Sequence, residues 1–216
     1  MRYLLIDTCN DRSVIACFEQ SQLLFVHYLP IGKDHSKFLM PQLEAALQTL
    51  PFSFTELNFI AVAVGPGSYT GIRVGVSVAQ ALAYSWNIPL IGFPSLIGYV
   101  LTEENIPFLS IIDAKLGGVY FQKGCLHKQG YSWISPPKVS SLELFVSTLE
   151  PCTYFVTPKA SPIAEKIRGI DPNKEYIWQE KNPDVRAIAE YVQKAHQEGL
   201  SQPPGRLNLL YLREWS

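Results

Sequence analysis

Two short apolar runs of this sequence end on an aspartate, YLLID at residues 3–7 and FLSIID at residues 108–113, and each opens the same succession of segments. After the first come SVIACFE (13–19) and QLLFVHYL (22–29), aliphatic and aromatic stretches divided by polar turns, which read as a three-strand meander. A helical segment follows over 36–50, with Leu39, Leu43, Ala46, Leu47 and Leu50 on one face. Its Pro41 lies near the first turn, where a missing N–H costs least. The strand FIAVAV (59–64), a helix over 69–86 and the short strand IPLIG complete this half. After the second aspartate, GVYFQKG, YSWIS and TYFVT read as strands, and 140–149 and 184–197 as helices. The repeated βββαβα order predicts an α/β protein of two duplicated lobes, each with a mainly five-stranded mixed sheet and its own helices. The halves meet near 92–107, giving lobes of 1–97 and 98–216, and prolines at 136, 137, 151, 158 and 162 break the second into shorter pieces.

With 216 residues, 47% of them apolar and 17% charged, the chain is long and apolar enough to bury real cores. The formal net charge is −1 and no lysine or arginine run stands out, so a chain that grips nucleic acid by itself is disfavoured. Cys9, Cys17, Cys125 and Cys152 form no C-x-x-C pair and no signal segment precedes them, which leads us to expect reduced thiols in the cytoplasm. No apolar run approaches the length of a membrane span.

The junction AVGPGSYTGIRVGVSVAQALA (63–83) sets a strand against a glycine-rich turn and a helix, the arrangement that often cradles a phosphate. The spacing argues otherwise. Gly65, Gly67 and Gly71 are one residue too long for a dinucleotide fingerprint, no acidic residue follows at the next strand end, and no Lys-Ser or Lys-Thr pair makes a Walker loop. Gly71, Gly75, Ala79 and Ala83 instead form a ridge of small residues at i, i+4 spacing, flanked by Ile72 and Val76. Only a narrow stripe of Arg73, Ser77, Gln80 and Tyr84 is polar, so the helix is covered on more than one side. Such a ridge admits the close approach of a second helix. The other reading is a central helix buried wholly inside its own domain. Asp7 and Asp113 are strand-end aspartates of equivalent position, or ordinary turn residues. His35 has Leu39 at i+4 rather than a second histidine, so we expect no metal site there, and no G-x-S-x-G elbow gives Ser68 a hydrolase context.

Taken in order, LLIDT, HSKFLMP, VGPGSYTGIRVGV, IIDAKLGGVYF and the terminal YLR (211–213) resemble the TsaB (YeaZ) family of threonylcarbamoyladenosine (t6A) biosynthesis proteins. The glycine-rich string, with Gly65, Pro66, Gly67, Ser68, Thr70 and Arg73, is the most specific part. The resemblance implies a two-lobed actin-like ATPase fold and a non-catalytic partner of a TsaD-like transferase, acting with a TsaE-like ATPase on adenosine 37 of tRNA. It implies a homodimer in isolation, contact with tRNA only through the complex, and no cofactor beyond weak ATP binding. The family's dimer surface uses its first two helices, which here implicates Leu39, Leu43, Leu47, Gly71, Ile72, Gly75, Val76, Ala79 and Ala83. Asp7, Thr8 and Asp113 would line a vestigial nucleotide cleft, in DTC and DAK without the glycine usual in that superfamily. The alternatives are a weak ATPase using Asp7 and Asp113, and a metallopeptidase, against which the unpaired His35 weighs.

Overall fold

The computed structural model of the chain describes residues 1–30, 35–115 and 118–212. Arg213 of the terminal YLR, Leu116 and Gly117 of IIDAKLGGVYF, and the side chain of His35 lie outside the described residues. In chain order the strands are β1 (Arg2–Asp7), β2 (Val14–Glu19), β3 (Gln22–Tyr28), β4 (Phe59–Ala63), β5 (Leu90–Phe93), β6 (Pro107–Asp113), β7 (Gly118–His127), β8 (Gly130–Trp133), β9 (Lys138–Ser141), β10 (Tyr154–Thr157) and β11 (Ile177–Glu180). The α-helices are α1 (His35–Leu47), α2 (Tyr69–Trp86), α3 (Leu142–Ser147), α4 (Ser161–Ile170) and α5 (Val185–Gln197). They divide between two compact units, one of Met1–Ser95 with Val185–Leu210, the other consisting chiefly of Leu96–Asp184.

The sheet of the first unit runs β3-β2-β1-β4-β5, with β1, β4 and β5 parallel and β2 and β3 antiparallel. Every residue of β4 is buried, so both faces of the sheet need cover. On one face lies α2, whose Gly75 would place a Cβ 3.7 Å from Ile6 Cγ2. On the other lies α5. There Gln193 Nε2 donates to Tyr3 Oη at 2.7 Å and to the Gln20 carbonyl at 2.8 Å, and the His196 ring meets Phe59 at 4.7 Å. Tyr3 is itself stacked between Phe18 and Phe59, at 5.3 and 4.8 Å. The helix read at 184–197 is therefore part of the first unit, and the lobe boundary drawn at 97/98 misses that return. Its stripe of Val185, Ile188, Ala189, Val192 and Ala195 is buried, as its periodicity requires.

The second unit holds a six-stranded sheet, β11-β10-β6-β7-β8 with β9 paired to β7. Here β10 is parallel to both β6 and β11, while β7 is antiparallel to its neighbours. Helices α3 and α4 close a core of Ile111, Val119, Phe145, Phe155, Ile163 and Ile167. Three elements here, β9, α4 and β11, escape the sequence reading. Pro162 stands at the first turn of α4, where it starts a helix rather than breaking one.

If α5 is the second cover of the first sheet, Ile188→Ala, at a fully buried position, should cost about 2–5 kcal/mol in denaturant unfolding. Amide protection in β1 and β4 should fall with it, while protection in β6 and β10 holds; the reverse pattern would place α5 on the other core.

Candidate functional site

Strand β4 runs out at Ala63, and its continuation hydrogen-bonds Val64 N–H to the Phe93 carbonyl at 2.9 Å. The chain then turns through Gly65, at φ +111°, and a cis Gly65–Pro66 peptide into Ser68, the N-cap of α2. Ser68 Oγ accepts from Gly71 N–H at 3.3 Å, and Ser68 N–H donates to the Cys9 carbonyl at 2.7 Å. Thr8 Oγ1 donates to the Gly71 carbonyl at 2.6 Å, and Ser95 Oγ donates to the Pro66 carbonyl. The donors that a phosphate would use on Ser68 and Gly71 are thus engaged by the protein itself.

The glycines have a different purpose. A Cβ on Gly67 would stand 2.2 Å from the Cys9 carbonyl oxygen, one on Gly71 2.1 Å from the Thr8 carbonyl oxygen, and one on Gly75 2.3 Å from Thr8 Oγ1. No side chain fits at those distances. The turn and the first two turns of α2 are glycine-rich because the β1–β2 connection lies directly on them.

Asp7 and Asp113, each considered within its own unit, hold opposite protonation preferences. Asp7 Oδ1 accepts from Cys9 N–H at 2.8 Å, while its buried Oδ2 has no hydrogen-bond partner among the described residues. Burial pushes this carboxyl up to about 6, against the pull of the Cys9 N–H. Burial, followed by the charge of Asp7, also pushes the Cys9 thiol well up. Burial pushes Asp113 up too, but its hydrogen bonds from Lys166 Nζ (3.0 and 3.2 Å) and Lys115 N–H (2.9 Å) outweigh that and hold it below the ordinary range. Among the described residues no group of three or more His, Cys, Asp and Glu side chains could hold a metal ion. No helix among them is long and apolar enough to cross a membrane.

The shift on Asp7 has a definite sign. Its folded pKa of about 6 exceeds the ordinary 3.8, so the fold keeps the proton, and stability is lost as pH rises through about 6. The full difference corresponds to about 3 kcal/mol. Denaturant midpoints followed from about pH 4 to 7 should therefore fall for the natural chain relative to Asp7→Asn, whose profile should be flatter; parallel profiles would mean that Asp7 ionises freely in the folded state.

The two helices implicated by the sequence present the opposite face from the one expected. Leu39, Leu43, Leu47, Gly71, Ile72, Gly75, Val76, Ala79 and Ala83 are all buried inside the chain. The small ridge of α2 thus packs on its own sheet and loop, and this corrects its assignment to a partner. What faces outward is the remainder of both helices. Tyr84 is 81% exposed, Tyr69 and Met40 47%, and Phe38 40%. Between α1 and α2 runs a groove of about 390 Å³, bordered by Met40, Tyr69, Thr70, Arg73, Val74 and Val78, with the buried Leu39 at its base. The Arg73 guanidinium lies over the Tyr69 ring at 4.0 Å. Exposed aromatic and β-branched side chains gathered beside an arginine are the composition of a protein contact surface. The sequence carried a signal for it, since Tyr69, Arg73, Ser77 and Tyr84 fall on one stripe at helical spacing.

Gly75→Leu accordingly tests the inner face. Overpacking against Thr8 should destabilise the chain by about 1–3 kcal/mol or more, read as a lowered melting temperature; an unchanged melting temperature would return the ridge to the outside.

A family model described as TsaD, tRNA N6-adenosine threonylcarbamoyltransferase, matches residues 30–132. The tRNA threonylcarbamoyladenosine biosynthesis protein TsaB of Escherichia coli K12 is 32% identical over 125 residues, covering 56% of this chain and 54% of that protein. The protein of the same name from Bacillus subtilis 168 is 35% identical over 122 residues, covering 56% and 53%. The matched segment spans about half the length of these curated relatives. In structure, YeaZ from Pseudomonas aeruginosa superposes with a TM-score of 0.80 over 98% of this chain and 99% of that one, at 18% identity. The shared fold thus runs through the region where sequence similarity is weak, and the α/β class with a mixed sheet in each of two units, expected from the sequence, stands.

Proposed function

We propose that the chain is a TsaB/YeaZ-type protein, as its similarity to those relatives supports, and that it serves t6A biosynthesis on tRNA as a non-catalytic partner that binds and activates a TsaD-type transferase. The observation that carries this reading is the outward face of α1 and α2, an apolar and aromatic groove beside Arg73 on two helices fixed from behind. Two further features support it over a weak ATPase. The N–H groups of Ser68 and Gly71 are spent on Cys9 and on the N-cap, and Asp113 is bound to Lys166. On this reading the chain needs no cofactor, meets a TsaE-type ATPase and tRNA only within the complex, works in the cytoplasm, and forms a homodimer through the same face when its partner is absent.

The test pairs binding with stability. Tyr84→Asp, at an exposed position, should leave unfolding within about 0.5 kcal/mol of the natural chain. It should weaken capture of the same organism's TsaD-like protein by about 2 kcal/mol or more, roughly thirtyfold. Undiminished capture by both Tyr84→Asp and Val78→Asp would remove the face from the partner reading. Micromolar binding of Mg²⁺-ATP in calorimetry would favour the ATPase instead.

A further inference from the structure

The sheet of the first unit ends at β5, and the free side of that strand is taken by the chain's own later residues. Leu90 and Gln202 exchange both backbone hydrogen bonds at 2.8 Å, an antiparallel bridge. Eight residues on, Leu210 N–H donates to the Val64 carbonyl at 2.9 Å, directly beside the glycine turn. Between these points a Cβ on Gly92 would stand 3.0 Å from Leu207 Cδ1, so Leu207 seats over the one position of β5 that has no side chain. The segment from Gln202 to Leu210 thus meets β5 as the start of an added strand does, through one backbone bridge at Leu90 and a side chain seated over Gly92, and then leaves it for the Val64 carbonyl beyond β4.

It reads that edge loosely. Pro203, Gly205, Arg206 and Asn208 are exposed, and the stretch between the two anchor points forms no strand or helix. Beneath it lies a cavity of about 410 Å³ bordered by Val64, Ile91, Tyr191, Ala195 and Leu207. A segment without strand or helix, with four exposed residues between its anchor points, opens at lower free energy than the sheet core beside it.

We propose that the β5 edge, with its slot over Gly92, is a strand-docking groove, and that residues 202–210 are its releasable internal occupant. The external partner it fits is an extended peptide segment that offers backbone N–H and C=O to Leu90 and a leucine-sized side chain to the slot. The inner segment competes with such a peptide at the millimolar effective concentration that a short tether supplies, so the groove is closed to weak ligands and open to those that outbid it. This inference is independent of the α1–α2 face.

The experiment places the segment in trans. A fluorescein-labelled peptide of residues 200–212 is titrated by anisotropy against the full natural chain, against full-length Leu207→Ser, and against full-length Gln202→Pro, which deletes one donor of the bridge while leaving the slot residue in place. The natural chain should show no saturation below about 1 mM, and the variants should bind the peptide at least about tenfold more tightly. A peptide with serine in place of its slot leucine should lose that gain. In the natural chain, hydrogen exchange at Leu90, Gln202 and Leu210 should run at least about tenfold faster than at Ile60 and Val62 in β4. Should Leu207→Ser fail to fold, Gln202→Pro carries the same comparison. Exchange of the three amides in step with β4, or equal binding of the leucine and serine peptides, would show that the segment is an integral part of the fold and overturn the proposal.

Discussion

Two carbonyl oxygens, those of Thr8 and Cys9, lie where the side chains of Gly71 and Gly67 would be, and much of the first unit follows from that approach. The connection between β1 and β2 leans on the start of α2 so closely that hydroxyl, N-cap and backbone groups replace side-chain packing. That contact fixes the rotation of α2 about its own axis. With Gly71, Gly75, Ala79 and Ala83 turned inward, Tyr69, Arg73, Ser77 and Tyr84 are turned outward without any further constraint. One helix therefore serves two surfaces, and the rigidity of the inner one preorganises the outer one.

The limits of α2 were legible because local chemistry sets them. Ser68 caps its first turn, and Asn87 closes it in the left-handed region at φ 54°, with its N–H on the carbonyls of Ala83 and Tyr84. Its rotation was not legible. A small ridge is equally suited to a neighbouring helix and to a loop of its own chain, and the choice is made by Thr8, sixty-three residues earlier than Gly71. The same holds for α5, whose apolar stripe says that the helix needs a surface but not which sheet supplies it. Asp7 and Asp113 look alike in the sequence, yet one is buried at the end of β1 beside Cys9 and the other meets Lys166, fifty-three residues away. Equivalent strand ends became unlike groups through neighbours that no local pattern reveals.

The second unit shows the complementary limit. Its strands β6, β7 and β10 stood out as apolar runs, because burial on a sheet demands such runs. β9 and β11 are four residues each and mostly half-buried or exposed, so they carry little hydrophobic signal; pairing with β7 and β10 makes them strands. Phe155 ties the late elements together, with Phe145 at 6.1 Å, Tyr176 at 5.3 Å and Trp178 at 4.7 Å.

That the first unit is built from both ends of the chain has a consequence for its birth on the ribosome. The strands through β5 emerge early, but the helix that covers the Tyr3 and Phe59 face begins only at Val185, after the whole of Leu96–Asp184 has been made. At cellular translation rates that interval is on the order of 5–20 s, during which one face of an assembled or assembling sheet lacks its cover. The strands and helices of the later unit all lie within the single stretch Leu96–Asp184 and have no such wait, so its core can be completed first although it is synthesised second. A nascent chain paused in that interval would present Tyr3, Phe18 and Phe59 to whatever chaperone holds it.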